Sequence, residues 1–156
     1  MKLKIGDPAP QFSATITDGG TIKLSDYFGK KLVLYFYPMD DTPGCTQQAA
    51  SLRDHYQEIR GKDTEILGVS TQDVASHQRF TEKCNIPFPL VADTDGAVSR
   101  AYGALGGGGG LMGKIGNNLF GVATRMTVII DESGHIARII DHPDTANHAE
   151  EVLKLL

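Results

Sequence analysis

Leu32-Val33-Leu34-Tyr35-Phe36-Tyr37-Pro38-Met39-Asp40-Asp41-Thr42-Pro43-Gly44-Cys45-Thr46 runs from a buried strand into the first turn of a helix, and the fold is read outward from it. Residues 32–37 form an unbroken apolar, β-prone run, the pattern of a central strand covered on both faces. Thr42 is a suitable N-cap, Pro43 suits the first helical position, and Cys45 falls at the third. There the backbone N–H groups lack intrahelical partners and the helix dipole is positive. Cysteines placed in this way ionise and act as nucleophiles.

Over 43–59 the apolar residues Ala49, Leu52, Tyr56 and Ile59 recur at three- and four-residue steps, predicting an amphipathic helix that ends near Gly61. Cys45 lies on that stripe, so its sulfur is expected to face the sheet, partly shielded yet reachable from the loop. Residues 66–70 read as a second buried strand, followed by a helix over 72–84, in a βαβ rhythm. An extended segment over 87–92 and a short helix over 96–102 follow. Residues 126–131 and 135–140 flank Glu132-Ser133-Gly134 as a hairpin, and a last helix starts near Asp144 or Thr145. Ahead of the central strand, 12–17 and 21–24 around Asp18-Gly19-Gly20 read as an N-terminal hairpin. The sum is an α/β fold with a mixed central sheet and helices on both faces.

The 156 residues, 40% apolar, are expected to form one domain over 1–156. A net charge of −4 with scattered Lys and Arg argues against nucleic-acid or polybasic membrane partners. No stretch approaches the roughly 20 apolar residues that span a bilayer, and the N-terminus lacks a signal-peptide run, so a cytoplasmic location is expected. Two cysteines without a CxxC pair or a His/Cys cluster make neither a disulfide scaffold nor a zinc site. Any disulfide here is expected to be catalytic. Gly106 to Gly110 reads as a mobile surface loop, since no GxxxxGK[ST] accompanies it. His55, His77, His135, His142 and His148 share no metal-ligand spacing and read as structural or solvated; His55, ten residues beyond Cys45, is too far along to serve as its base.

Lowering any thiol's pKa from about 8.5 to about 6 raises its thiolate fraction at neutral pH by only about thirtyfold. Part of that gain is returned as nucleophilicity falls, so a fast reaction needs further groups aimed at the reacting atoms. Thr42 can bring a hydroxyl, the N–H groups around Gly44 and Cys45 are fixed donors, and Pro38 can shape the pocket floor and exclude water. A cation is missing from the segment itself, because Met39, Asp40 and Asp41 are neutral or acidic. Arg125, which opens the strand after the glycine-rich stretch, is the candidate; by residue type alone it is either a solvated strand end or a placed ligand.

These residues resemble the peroxiredoxins, in particular the branch called bacterioferritin comigratory protein or peroxiredoxin Q. The resemblance rests on Tyr37-Pro38 followed by Asp40, on Thr42-Pro43-Gly44-Cys45-Thr46 and on Leu52-Arg53-Asp54. It extends through Gly6 to Phe12, Ile66 to Ser70, Pro87 to Asp93, Ala101-Tyr102-Gly103, the Arg125 strand and His148 to Leu153. It implies a thioredoxin-like fold and a thiol peroxidase, antioxidant in role, that reduces hydrogen peroxide and organic hydroperoxides without metal or organic cofactor. Cys45 would be the peroxidatic cysteine and become a sulfenic acid. Thr42 and Arg125 would bind and polarise the peroxide, and Pro38 would shield the pocket.

The sequence also departs from that pattern. Ala50 occupies the position five residues after Cys45 where many members of the branch carry the resolving cysteine. Cys84 sits about one turn beyond the other usual site, on a helical line with His77 and Phe80. Three roles stay open for it: resolving cysteine, inert core residue, or partner in an intermolecular disulfide. Met39 stands where lysine is frequent, and 102–125 is longer than usual. The leading expectation is a peroxidase resolved by Cys84 and recycled by thioredoxin, as a monomer or weak homodimer. The alternative is a one-cysteine peroxidase reduced by glutathione, glutaredoxin or another thiol. A non-catalytic binding module fits less well, having no need for the set Pro38, Thr42, Cys45 and Arg125.

Overall fold

The computed structural model describes residues 3–105 and 122–156. The glycine run Gly106 to Gly110 lies outside the described residues. Strand β3 (Lys31–Phe36) is central in a five-stranded sheet of order β5-β4-β3-β6-β7. It pairs in parallel with β4 (Thr64–Ser70), which pairs in parallel with β5 (Leu90–Ala92). On its other edge β3 pairs antiparallel with β6 (Met126–Ile130), which forms a hairpin with β7 (Ile136–Ile140). A separate two-stranded sheet joins β1 (Ser13–Thr15) to β2 (Thr21–Lys23), shorter than the predicted arms.

The apolar run of β3 is explained by two cores. Leu32, Leu34 and Phe36 face a cluster with Leu24, Leu67, Val69, Val98, Tyr102 and Val128. Val33 and Tyr35 face the other, with Cys45, Ala49, Leu52, Phe80, Ala149 and Val152. Each fully buried Leu, Val or Phe side chain contributes about 1.5–3 kcal/mol relative to exposure. The second layer holds α1 (Pro43–Asp54), α2 (Tyr56–Arg60), α3 (Val74–Cys84) and α5 (His148–Leu155); α4 (Ala97–Ala101) packs on the first.

Three local readings are corrected. The predicted 43–59 helix breaks at His55, whose ring Nδ1 bonds the Ser51 carbonyl at 3.0 Å. The His55 backbone N–H turns instead to Leu52 at 3.3 Å, so the side chain has displaced the i−4 helical bond. The last helix starts at His148, because Asp144 first closes a turn by accepting from the Ala146 N–H and the Asn147 side chain. Thr42 has extended N-cap geometry but no side-chain cap; its hydroxyl donates to the Met39 carbonyl at 3.2 Å. By contrast α3 is capped at both ends: Asp73 accepts from the Ser76 N–H at 2.9 Å and Asn85 ends it in the left-handed region.

Candidate active site

The site forms where β3 ends and α1 begins. Tyr37 continues the strand, Asp41 turns the chain with φ 64°, and Pro43 starts the helix, placing Cys45 in its first turn. Cys45 is 1% exposed and packs in the α1 layer, more enclosed than the partial shielding expected from its helix position. Arg125, at the threshold of β6, brings Nη2 to 3.3 Å from the Cys45 sulfur. Two of the predicted residues, eighty positions apart in sequence, are thereby in contact. Gly44 makes room for this: a Cβ there would lie 3.1 Å from the same Nη2.

The guanidinium is held by a residue that the sequence reading passed over. Gln48, fully buried, accepts from Arg125 Nη1 at 2.7 Å. Its own Nε2 is buried and makes no hydrogen bond among the described residues. Gln48 stands three residues after Cys45, the spacing that puts two side chains on one helix face, and that was the available signal. With one nitrogen on Gln48 and another on sulfur, Arg125 has the fork that lysine lacks.

Pro38 and Thr42 lie on the same loop. Gln72 grips it, its amide donating to the Pro38 carbonyl at 3.3 Å and accepting from the Asp40 N–H at 2.9 Å. Tyr35 and Tyr37 stack at 5.4 Å in the core that holds Cys45. Burial, then the neighbouring Cys45 and Asp40, pushes the Tyr35 phenol well up, so it stays neutral beside the thiol. Its hydroxyl is buried without a partner among the described residues.

Cys84 ends α3 and is buried in the same core as Cys45, with both thiols free. Its carbonyl accepts from Arg53 Nη1 at 2.7 Å. Arg53 lies in the last turn of α1, eight residues and about 12 Å of helix axis beyond Cys45. Burial, then the Asp41 carboxylate, pushes the Cys84 thiol up, so it rests as a thiol. Among the described residues, no group of three His, Cys, Asp or Glu is arranged to hold a metal ion, and no helix is long and apolar enough to cross a membrane.

A thioredoxin-like α/β fold with a cysteine at the helix start that follows the central strand defines a class of thiol enzymes, and the comparisons narrow it. Residues 5–139 match the AhpC/TSA family. The chain is 38% identical over 154 residues to "Peroxiredoxin Bcp" of Escherichia coli (strain K12), covering 99% of this chain and 96% of that one. It superposes with TM-score 0.87 at 28% identity on a cysteine-to-serine mutant of PrxQ from Xylella fastidiosa, covering 99% and 95% of the two chains. The Bacterioferritin Comigratory Protein of Xanthomonas campestris, described for alkyl peroxide reduction, superposes with TM-score 0.81 at 29% identity over 92% of this chain and 88% of that one. The chain therefore belongs to the AhpC/TSA family, as a peroxiredoxin of the Bcp and PrxQ kind: a thiol peroxidase that acts on hydroperoxides with a thiol reductant.

Proposed function

We propose that Cys45 is the peroxidatic cysteine and that the chain reduces hydrogen peroxide and alkyl hydroperoxides. The observation that carries this reading is the Arg125 guanidinium at 3.3 Å from the Cys45 sulfur, braced by Gln48. The Cys45 thiolate attacks one peroxide oxygen and the O–O bond breaks. Its electron pair leaves on the second oxygen, which takes a proton to become water or an alcohol, and the sulfur becomes a sulfenic acid. Charge moves from sulfur to the departing oxygen, and donors already fixed in place stabilise that movement without reorganising. Arg125 and the N–H groups of the first α1 turn supply them, Thr42 binds the peroxide through its hydroxyl, and Pro38 keeps water from the sulfur. The alkyl-peroxide activity described for the Xanthomonas campestris relative supports the organic substrates.

The sulfenic acid is then reset by a thiol, which attacks the sulfur, expels water and leaves a disulfide. Cys84 is the internal candidate, with thioredoxin reducing the resulting Cys45–Cys84 bond. Because a disulfide needs Cα atoms within about 7 Å, Cys84 reaches Cys45 only if α1 and α3 bring the two residues that close or the first turn of α1 unwinds. The firm seat of Cys84, buried and tied through its carbonyl to Arg53, favours a second reading in which an external thiol such as glutathione or glutaredoxin resets Cys45 directly. Peptide mapping after one equivalent of peroxide separates the two: a Cys45–Cys84 bond supports the first, and Cys45 sulfenic acid with free Cys84 supports the second. Cys45→Ser is expected to abolish peroxide consumption, and undiminished turnover by that variant would sink the assignment. Two free cysteines suit the reducing cytoplasm as its place of action.

A further inference from the structure

A histidine–aspartate pair lies buried at the loop that delivers Cys45. The side chains of His77 and Asp40 are 0% and 4% exposed, and His77 Nδ1 lies 2.7 Å from Asp40 Oδ2. The other ring nitrogen, Nε2, lies 2.8 Å from the Val91 carbonyl. His77 thus bridges the Asp40 carboxylate and the Val91 carbonyl through its two ring nitrogens. Burial alone would push the Asp40 carboxyl up, but the hydrogen bond and charge of His77, with the hydroxyls of Tyr37 and Ser76, hold it below its ordinary value. Tyr37 donates to Asp40 Oδ1 at 2.6 Å and Ser76 to Oδ2 at 2.7 Å. Tyr37, just past the end of β3, the rest of the loop and α3 are thereby joined through one carboxylate.

Cys45, at 1% exposure, offers its sulfur to no bulky thiol until the first turn of α1 opens. We propose that His77 and Asp40 are positioning residues whose buried hydrogen-bonded pair holds loop 37–42 closed over Cys45 and sets how readily that first turn opens. This rests on the reading of Cys45 as the peroxidatic residue. The closed loop keeps Pro38, Thr42 and the helix N–H groups around the sulfur for peroxide. An open loop gives up those donors and admits a thiol. Since removing one member leaves buried polar atoms of the other unsatisfied, the closed loop has a sharp energetic preference for both partners.

The test labels the reduced full-length chain with a maleimide and follows Cys45 and Cys84 separately by peptide mass spectrometry. The rate of peroxide consumption is measured in parallel. His77→Gln is expected to raise Cys45 labelling on the order of tenfold, leave Cys84 labelling unchanged, and slow the peroxide reaction by a similar factor. Ile59→Val, a core trim in α2 away from the loop, is expected to do neither. Asp40→Asn added to His77→Gln is expected to cost no more than the single change, as for one interacting unit. Ser76→Ala removes one of the hydrogen bonds to Asp40 but keeps the His77 contact; a smaller shift in the same direction is expected, and this variant decides the matter if His77→Gln fails to fold. Cys45 labelling that stays at the native level, or that rises in step with Cys84, would overturn the proposal. The labelling needs no turnover, so a failure of the peroxidase assignment shows separately, in Cys45→Ser.

Discussion

Replacing Arg125 with glutamine removes the one cation among the described residues that touches the Cys45 sulfur, at 3.3 Å, while keeping a side chain of similar reach. At that separation and an effective dielectric constant near 20, two unit charges attract by about 5 kcal/mol, which bounds the effect from above. Water entering the space left beside Gly44 recovers part of it. A hydrogen bond to a charged group is worth about 1.5–3 kcal/mol net, which at 1.36 kcal/mol per decade corresponds to roughly a 10- to 150-fold slower reaction. The assay is single-turnover oxidation of the reduced chain by hydrogen peroxide, read as a second-order rate constant, with circular dichroism confirming the fold. Arg125→Lys is expected to fall between native and Arg125→Gln, because one ammonium cannot hold both the sulfur and Gln48 Oε1. A folded Arg125→Gln variant within threefold of the native rate would refute the role of the guanidinium in the transition state.

Three further outcomes follow from geometry elsewhere in the fold. His148 is fully buried at the start of α5, with Nε2 2.9 Å from Thr127 Oγ1 and Nδ1 2.9 Å from Glu151. Burial, outweighing the Glu151 hydrogen bond, pulls its pKa below the ordinary 6.5. As pH falls below that value the unfolded chain takes up a proton the folded one refuses, so thermal stability should decline from about pH 6.5 downward. His148→Gln should flatten that slope, and an unchanged slope in the variant would count against the assignment. Cys84→Ser should leave the peroxide reaction near native but abolish thioredoxin-supported turnover if Cys84 resolves Cys45; full turnover would favour the external-thiol reading. Gly68→Ala would place a Cβ 2.7 Å from Leu90 Cδ2 and 3.0 Å from the Tyr35 ring. The overpacking should cost about 1–3 kcal/mol, visible as a lowered melting temperature, whereas an unchanged midpoint would show that β4 and β5 can part there.

The layout around Cys45 was legible because it depends on local signals. The apolar run 32–37, the Thr42-Pro43 helix start and the recurrence of Ala49 and Leu52 each have a physical cause that acts within a few residues. Arg125 was a candidate only, since what selects it is a tertiary contact with Gly44 and Gln48 rather than anything in its own neighbourhood. The helix break at His55 was not legible, because it depends on an imidazole competing with the backbone for one carbonyl. His77 reads as an ordinary core position from its spacing with Phe80 and Cys84. Only the fold, by bringing Asp40 and the Val91 carbonyl to its two nitrogens, makes it a bridge between loop and sheet.

The most direct test of Cys45 as the peroxidatic residue is the chemical state of each cysteine after the reduced chain meets one equivalent of hydrogen peroxide, determined by mass spectrometry with a sulfenic-acid trap present. Cys45 should carry the trap or be joined in a disulfide, and Cys45→Ser should leave the peroxide unconsumed. Peroxide consumed while Cys45 remains a free thiol would contradict it.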